Sequence, residues 1–360
     1  MHPHLRAVFL ILLIGAGLST ATGCQKYNQY QPLAEAESLS RITQLTGGFD
    51  RAGGAVFSRD QRWITFMATP VDKSAPQSLQ LYLAKVNWND HDLTGIDRPI
   101  CITPAGSRNT GASFSPDGIS LVFSSTALAL KREPASTKFP IGMRIFRFDG
   151  WEGVISMARK ATGVDLVQHP LTVDRAYTGE CSYSADGRWI CFTSNRSGNP
   201  NLYVMHADGS HIVRITKTVG YDGGASFSPN GRQLIYHSDR GDDHLTQIFL
   251  ADLAFDTNNE ITGMSAEHQL TDEDNNCTNP AWNPDGIHII YTTSRLGRDN
   301  YELYLMNYLG RKRTRITYSP GADLFPVFSP DGRYLMWASK RAKDGTVQVY
   351  AAQFQFPRGS

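Results

Sequence analysis

Apolar positions between residues 40 and 354 fall in short runs bounded by Ser, Pro, Asp, Asn and Gly, the pattern of short strands joined by tight turns. One phrase recurs six times: Phe57-Ser-Arg-Asp-Gln61, Phe114-Ser-Pro-Asp-Gly118, Tyr183-Ser-Ala-Asp-Gly187, Phe227-Ser-Pro-Asn-Gly231, Trp282-Asn-Pro-Asp-Gly286 and Phe328-Ser-Pro-Asp-Gly332. Nine residues beyond each leading aromatic stands another aromatic: Phe66, Phe123, Phe192, Tyr236, Tyr291 and Trp337. Eleven residues before it stands a threonine: Thr46, Thr103, Thr172, Thr216, Thr271 and Thr317. Ser-Pro-Asp-Gly is turn chemistry, because Pro presets φ, Asp or Asn bonds its own backbone and Gly accepts a positive φ. Each phrase therefore joins a strand ending at the first aromatic to a strand carrying the second.

That second strand is apolar on both faces, as in Gly286 to Tyr291 and Arg333 to Trp337, and so is covered on both sides. A third strand carries an aliphatic–aromatic pair (Leu81-Tyr82, Ile145-Phe146, Leu202-Tyr203, Ile248-Phe249, Leu303-Tyr304, Val349-Tyr350), and a fourth ends in Leu/Ile-Thr. Four strands per repeat, sandwiched between neighbours, predict an all-β six-bladed β-propeller of four-stranded antiparallel blades. The last repeat lacks its fourth strand, whereas 40–46 is a fourth strand with no repeat before it. The N-terminal strand is thus expected to complete the last blade and close the ring, removing a bare sheet edge. No helix of useful length is expected.

Residues 1–23 have the plan of a signal peptide: Arg6, an apolar run from Ala7 to Leu18, then small polar residues. The apolar run is short for a membrane span. Ala21-Thr22-Gly23-Cys24 resembles the bacterial lipobox, which implies lipidation of Cys24 after export, and Gln25 in place of Asp points to the outer membrane. Residues 24–39 read as a polar tether, 40–354 as the propeller and 355–360 as a tail. Lys and Arg number 35 against 34 Asp and Glu. That balance offers no basic face for nucleic acid and no acidic solvating tail.

The aromatic-Ser-Pro-Asp-Gly phrase, the downstream aromatic-x-Ser-x-Arg (Phe192 to Arg196, Tyr236 to Arg240, Trp337 to Arg341) and the closing Leu-Thr resemble the repeats of the TolB propeller, a WD-like blade, across residues 40–354. The resemblance specifies fold more than function, since similar blades occur in peptidase propellers and pectin-fragment lyases. TolB is a periplasmic scaffold that binds a peptidoglycan-associated lipoprotein. Here a tether in place of an α/β domain is expected ahead of the propeller, together with lipidation.

In such a ring the blade-to-blade loops and the second-to-third-strand loops share one face. On it the sequence places Asp50, Asp174, Glu180, Asp222, Asp272, Glu273, Asp274 and Asp323 against Arg51, Arg108, Arg175 and Lys217. An acidic mouth of this kind suits a basic peptide or a cation, and Asp50, Asp174, Glu180, Asp222, Asp274 and Asp323 are its candidate residues. An insertion from Thr126 to Met143, with Lys131, Arg132 and Lys138, is a candidate lid on the same face. A second, from Trp151 to Leu171, lies on the opposite face. Cys181 and Cys191 flank a turn, and buried free thiols are the expected state over a strained cross-strand disulfide. No nucleophile elbow, metalloprotease motif or phosphate loop is present. His237 and His244 lie close in sequence without further histidines to complete a metal site, so no metal or cofactor is expected. These features predict a monomeric, lipid-anchored periplasmic scaffold that binds an envelope protein or lipoprotein, with no nucleic acid. The alternative is an oligosaccharide- or small-ligand-binding propeller, or a lyase.

Overall fold

The computed structural model describes residues 35–71, 78–129, 137–158, 169–241, 243–297 and 299–358. Six antiparallel sheets form six blades. Their innermost strands are Phe49–Phe57, Asn109–Phe114, Thr178–Tyr183, Asp222–Phe227, Cys277–Trp282 and Asp323–Phe328. In blade 1 two short segments, Asp92–Ile96 and Ile100–Cys101, share the outer edge of strand Gln80–Asn89. Cys24, Lys131 and Arg132 lie outside the described residues.

Six apolar layers, one between each pair of neighbouring blades, make the core. Phe57, Ile64 and Phe66 of blade 1 pack on Tyr334 and Met336 of blade 6, while Trp63 and Leu81 of blade 1 pack on Phe114 and Leu121 of blade 2. Successive residues of one strand thus enter different layers, which is why the second strands are apolar on both faces.

The repeated offsets have direct physical causes. In the turn before Tyr334, the Ser329 hydroxyl donates to Asp331 (2.6 Å), Asp331 accepts from the Arg333 N–H (3.1 Å), and Ser329 Oγ accepts from the Tyr334 N–H (2.9 Å). These bonds and the Arg333 pair overcome the effect of burial and hold the Asp331 carboxyl down at about 2. Gln61 occupies the left-handed turn position that Gly holds in the other five blades, at φ 59°.

Each of the six threonines accepts, at its hydroxyl, the backbone N–H of the third strand of its sheet. The donors are Leu81, Ile145, Leu202, Ile248, Leu303 and Val349, at 2.8–3.0 Å. The two repeated aromatics of each blade sit opposite each other and their rings lie 5.5–6.3 Å apart, from Phe66–Tyr82 to Trp337–Tyr350.

The ring closes as expected. Strand Leu39–Gln44 pairs antiparallel with Gln348–Phe354. The Thr46 hydroxyl takes the Val349 N–H (2.9 Å) across about 300 residues of chain and donates to Gln348 (2.8 Å). Glu35 accepts from Arg341 (3.0 Å) and from the Tyr318 N–H (3.2 Å).

Two expectations about local structure are now decided. A short helix, Trp151–Ala158, is present after all. Its Trp151 and Ile155, one turn apart, are buried, and the Trp151 ring meets Trp63 at 5.4 Å and Phe114 at 5.1 Å. Two apolar anchors at helical spacing are too few to register in a sequence pattern, and neighbouring blades supply the rest. Cys181 and Cys191 are free thiols. Cys181, beside the bulge at Glu180, faces blade 2 and Cys191 faces blade 4, in different apolar layers.

Candidate functional site at the channel mouth

The innermost strands converge on the axis, and each carries a bulge with a left-handed residue at the same place: Gly54, Gly111, Glu180, Gly224, Asn279 and Phe325, φ 49–60°. The bulges let six strands meet without clashing. A Cβ at Gly111 would lie 2.7 Å from the Glu180 backbone. All six residues line a central cavity of about 460 Å³. Thr137, Lys138 and Pro140 of the blade 2 insertion also line it, which sets its mouth on the face of the blade-to-blade loops.

The expected acidic ring does not form. Asp222 and Asp323 open the innermost strands of blades 4 and 6, yet their side chains are 0% and 1% exposed. The cause is the aromatic-x-Ser-x-Arg motif. Arg240 lies over Phe249 (4.2 Å), gives its Nε–H to Ser238 (2.9 Å) and reaches Asp222 at 3.0 Å. Arg341 lies over Trp337 (5.0 Å), gives its Nε–H to Ser339 (2.9 Å) and reaches Asp323 at 3.4 Å. Burial pushes the Asp323 carboxyl up to about 6 against the opposing pull of Arg341. Asp174 is spent on Arg196 (3.1 Å), and Asp50 stands exposed beside Arg51 at 3.6 Å. Asp274 is exposed on the loop entering blade 5 and does not line the cavity.

Only Glu180 of the six candidate carboxylates faces the channel. It accepts from the Tyr221 hydroxyl (2.6 Å), the Gly224 N–H (2.8 Å) and the Thr193 hydroxyl (3.1 Å), tying blade 3 to blade 4. Against it the lining holds Arg51, Arg108 and Lys138, so among the described residues the mouth is basic rather than acidic. Lys138 is half-buried, with its ammonium 5.1 Å from the Phe139 ring and 5.3 Å from Tyr221. Burial lowers its pKa, while Asp239 and Glu180 act the other way.

Aromatic and imidazole rings complete this wall. Phe139 packs edge-on to Tyr177 (5.0 Å) and stacks on Tyr221 (5.7 Å), which in turn neighbours His237 (5.6 Å). Both tyrosines fold back over a glycine two residues on, and a Cβ at Gly179 or Gly223 would collide with the hydroxyl of Tyr177 or Tyr221. The repeated Tyr177-Thr-Gly179 and Tyr221-Asp-Gly223, absent from the other blades, were the available signal for this wall. His237 turns inward and His244 outward, onto the surface. Among the described residues no three His, Cys, Asp or Glu side chains gather as metal ligands.

His237 is 4% exposed, and burial lowers its pKa to about 4, with Asp222 opposing and Lys138 assisting. An ordinary imidazole titrates at about 6.5, so between those values the unfolded chain binds a proton that the folded chain refuses. Stability due to this group is complete above pH ~6.5 and falls by up to about 3 kcal/mol as pH drops to ~4. His237→Phe is expected to lose less stability than wild type between pH 7 and 4.5, measured as urea midpoints. Equal losses in the two proteins would contradict the neutral buried imidazole.

The family described as the TolB beta propeller domain matches residues 172–268 and 259–357, just over half the chain. A Protein TolB homolog of Chlorobium chlorochromatii is 29% identical over 158 residues, 44% of this chain and 32% of that protein. The Tol-Pal system protein TolB of Francisella tularensis subsp. holarctica is 25% identical over 179 residues, 50% of this chain and 38% of that protein. The chain thus spans about a third of the length of these curated relatives. Among solved structures, TolB from Acinetobacter baumannii superposes with a TM-score of 0.54 at 19% identity, covering 86% of this chain and 66% of that one. An oligogalacturonate lyase from Vibrio parahaemolyticus does so with a TM-score of 0.53 at 15% identity, covering 83% and 76%. At such identities these two superpositions speak for the fold alone.

Proposed function

Because this chain belongs to the TolB beta propeller domain family, we propose that it is a protein-interaction scaffold of the bacterial envelope, and that its partner docks on the face where the channel opens. The carrying observation is the rim of that mouth. Val219 and Val173, 80% and 74% exposed, are the most exposed large apolar side chains among the described residues. They sit on the loops that lead into Tyr221 and Tyr177. Exposed apolar side chains beside a concave, aromatic-walled cavity are the usual anatomy of a protein-binding surface. One curated relative is named for the Tol-Pal system, which supports an envelope protein as the partner class. A periplasmic location, with lipid on Cys24 holding the chain to the outer membrane, belongs to the same proposal. The propeller shared with an oligogalacturonate lyase carries no activity to this chain at 15% identity.

The test is a crosslinking pull-down from detergent-solubilised envelopes, comparing wild type with a Val173→Asp, Val219→Asp double variant. A partner recovered with wild type and reduced at least tenfold with the variant is the expected result. Equal recovery with both would move the docking site off this face. Recovery of the protein in the aqueous fraction before detergent is added would remove the lipid anchor.

A further inference from the structure

We propose that the channel wall between blades 2 and 4 is a carboxylate-binding subsite, in which Lys138, Tyr177 and His237 receive an acidic side chain or chain-terminal carboxylate of the docked partner. This rests on the protein-docking reading above and names the chemistry that its partner presents. Three independent features of the wall carry it.

The first is unmet hydrogen bonding. Tyr177 and His237 are among the residues that line the cavity, are 1% and 4% exposed, and their Oη and Nδ1 atoms are buried with no hydrogen-bond partner among the described residues. A buried polar atom left unpaired costs about 1–3 kcal/mol, so a ligand that supplies the missing acceptor gains what the free protein forgoes. A phenol O–H donates to an acceptor, and a neutral imidazole accommodates the same ligand with its proton on Nδ1. A carboxylate is an acceptor that either group can take.

The second is charge. Glu180, the one carboxylate among the described residues that line the cavity, already receives the Tyr221, Gly224 and Thr193 donors. Lys138 makes no ion pair among the described residues, and its ammonium is held against the faces of Phe139 and Tyr221. With Arg51, itself beside Asp50, and Arg108 on the same cavity, cationic side chains outnumber carboxylates among the described lining residues. A half-buried ammonium offered to an incoming anion forms a charge-assisted bond, about twice as strong as a neutral one.

The third is construction. Gly179 and Gly223 leave the room into which the tyrosine hydroxyls fold, since a side chain at either would collide with them. The Asp239 carboxylate takes the Tyr221 N–H (2.6 Å) and the Asn195 side chain takes the Tyr177 N–H (2.9 Å), fixing both tyrosines at the same repeat position. Phe139 then wedges between their rings and sets Lys138 beside them. The parts come from three blades and converge on one wall.

The experiment titrates N-acetyl-Ala-Ala-Glu, its C-terminal amide, the corresponding Gln amide and galacturonate against the full chain, read by ligand-observed NMR. The peptide acid is expected to bind with millimolar affinity and the Gln amide at least fivefold more weakly. The Glu amide separates a side-chain carboxylate from a chain end. Lys138→Met and Tyr177→Phe are each expected to weaken the peptide acid at least fivefold, and Asp50→Asn to leave it unchanged. Tyr177→Phe removes one oxygen atom and keeps the ring packing, so its effect is not one of misfolding. Equal binding of acid and Gln amide, or unchanged affinity in both variants, would overturn the subsite. Binding of galacturonate with none of the peptides would overturn its assignment to a protein partner. A pull-down that survives Lys138→Met but fails with Val173→Asp, Val219→Asp would leave the scaffold standing and overturn the subsite alone.

Discussion

Deleting residues 38–46 is expected to remove more stability than the propeller can spare, leaving it unfolded or melting in a broad, early transition. The strand in that segment covers the outer edge of blade 6, and its Leu39 and Leu45 are buried in the layers on either side of that blade. Truncating one such leucine to alanine costs about 2–4 kcal/mol, and a domain's whole net stability is about 5–15 kcal/mol. The deletion also strips the Val349 N–H of its Thr46 acceptor and exposes an unpaired edge on Gln348–Phe354. Leu39→Ala and Leu45→Ala keep the strand and are expected to cost about 2–4 kcal/mol each, read as urea midpoints, so the argument does not rest on a chain that fails to fold. A truncated protein with the midpoint of the full chain would show that the ring does not need this clasp.

The second large effect is expected at Arg240. Arg240→Ala leaves Asp222 wholly buried with the Thr218 hydroxyl (2.5 Å) and the Asn201 amide (3.3 Å) but no counter-charge. Removing one partner of a buried pair costs about 3–5 kcal/mol, because the remaining charge is neither solvated nor paired. The double variant Asp222→Asn, Arg240→Met removes both buried charges while keeping hydrogen bonding at 222 and a long apolar side chain over Phe249, and leaves only the partly exposed Glu267, which Arg240 meets at 2.6 Å, without its partner. It is expected to recover at least half of the loss. Arg196→Ala serves as the internal comparison. Arg196 has the same place in blade 3, but its partner Asp174 is 41% exposed and Thr178 stands where blade 4 has Asp222. A partly solvated pair contributes about 1 kcal/mol or less, so the two alanine variants should differ severalfold. Similar losses at 196 and 240 would mean that the arginines act through ring stacking and not through the buried charge.

Legibility in the sequence followed the range of the interaction. The Ser-Pro-Asp-Gly turns, the threonine clips and the facing aromatics each join residues a few positions or one hairpin apart, and each is written six times. The N-terminal clasp is long-range, yet Thr46 carries the same repeat mark as the five other threonines, so it too could be read. The carboxylates were misread for a related reason. A loop position shows that Asp222 and Asp323 begin a strand but not which way their side chains turn. That direction was set by arginines 18 residues later, whose Nε–H bonds to Ser238 and Ser339 and stacking on the aromatic pairs aim them inward.

By itself the sequence determined the all-β propeller, the number of blades and the strand that closes the ring. Those properties follow from local hydrogen-bond chemistry and strand periodicity, repeated often enough to be unmistakable. Only the tertiary structure decided the character of the mouth. Lys138 of blade 2, Tyr177 of blade 3 and His237 of blade 4 meet because six strands bulge toward one axis. The same closure buries two of the expected acids and leaves a basic, aromatic wall where an acidic ring was expected. Charge and burial at such a place depend on what the ring brings alongside, and no spacing along the chain records that.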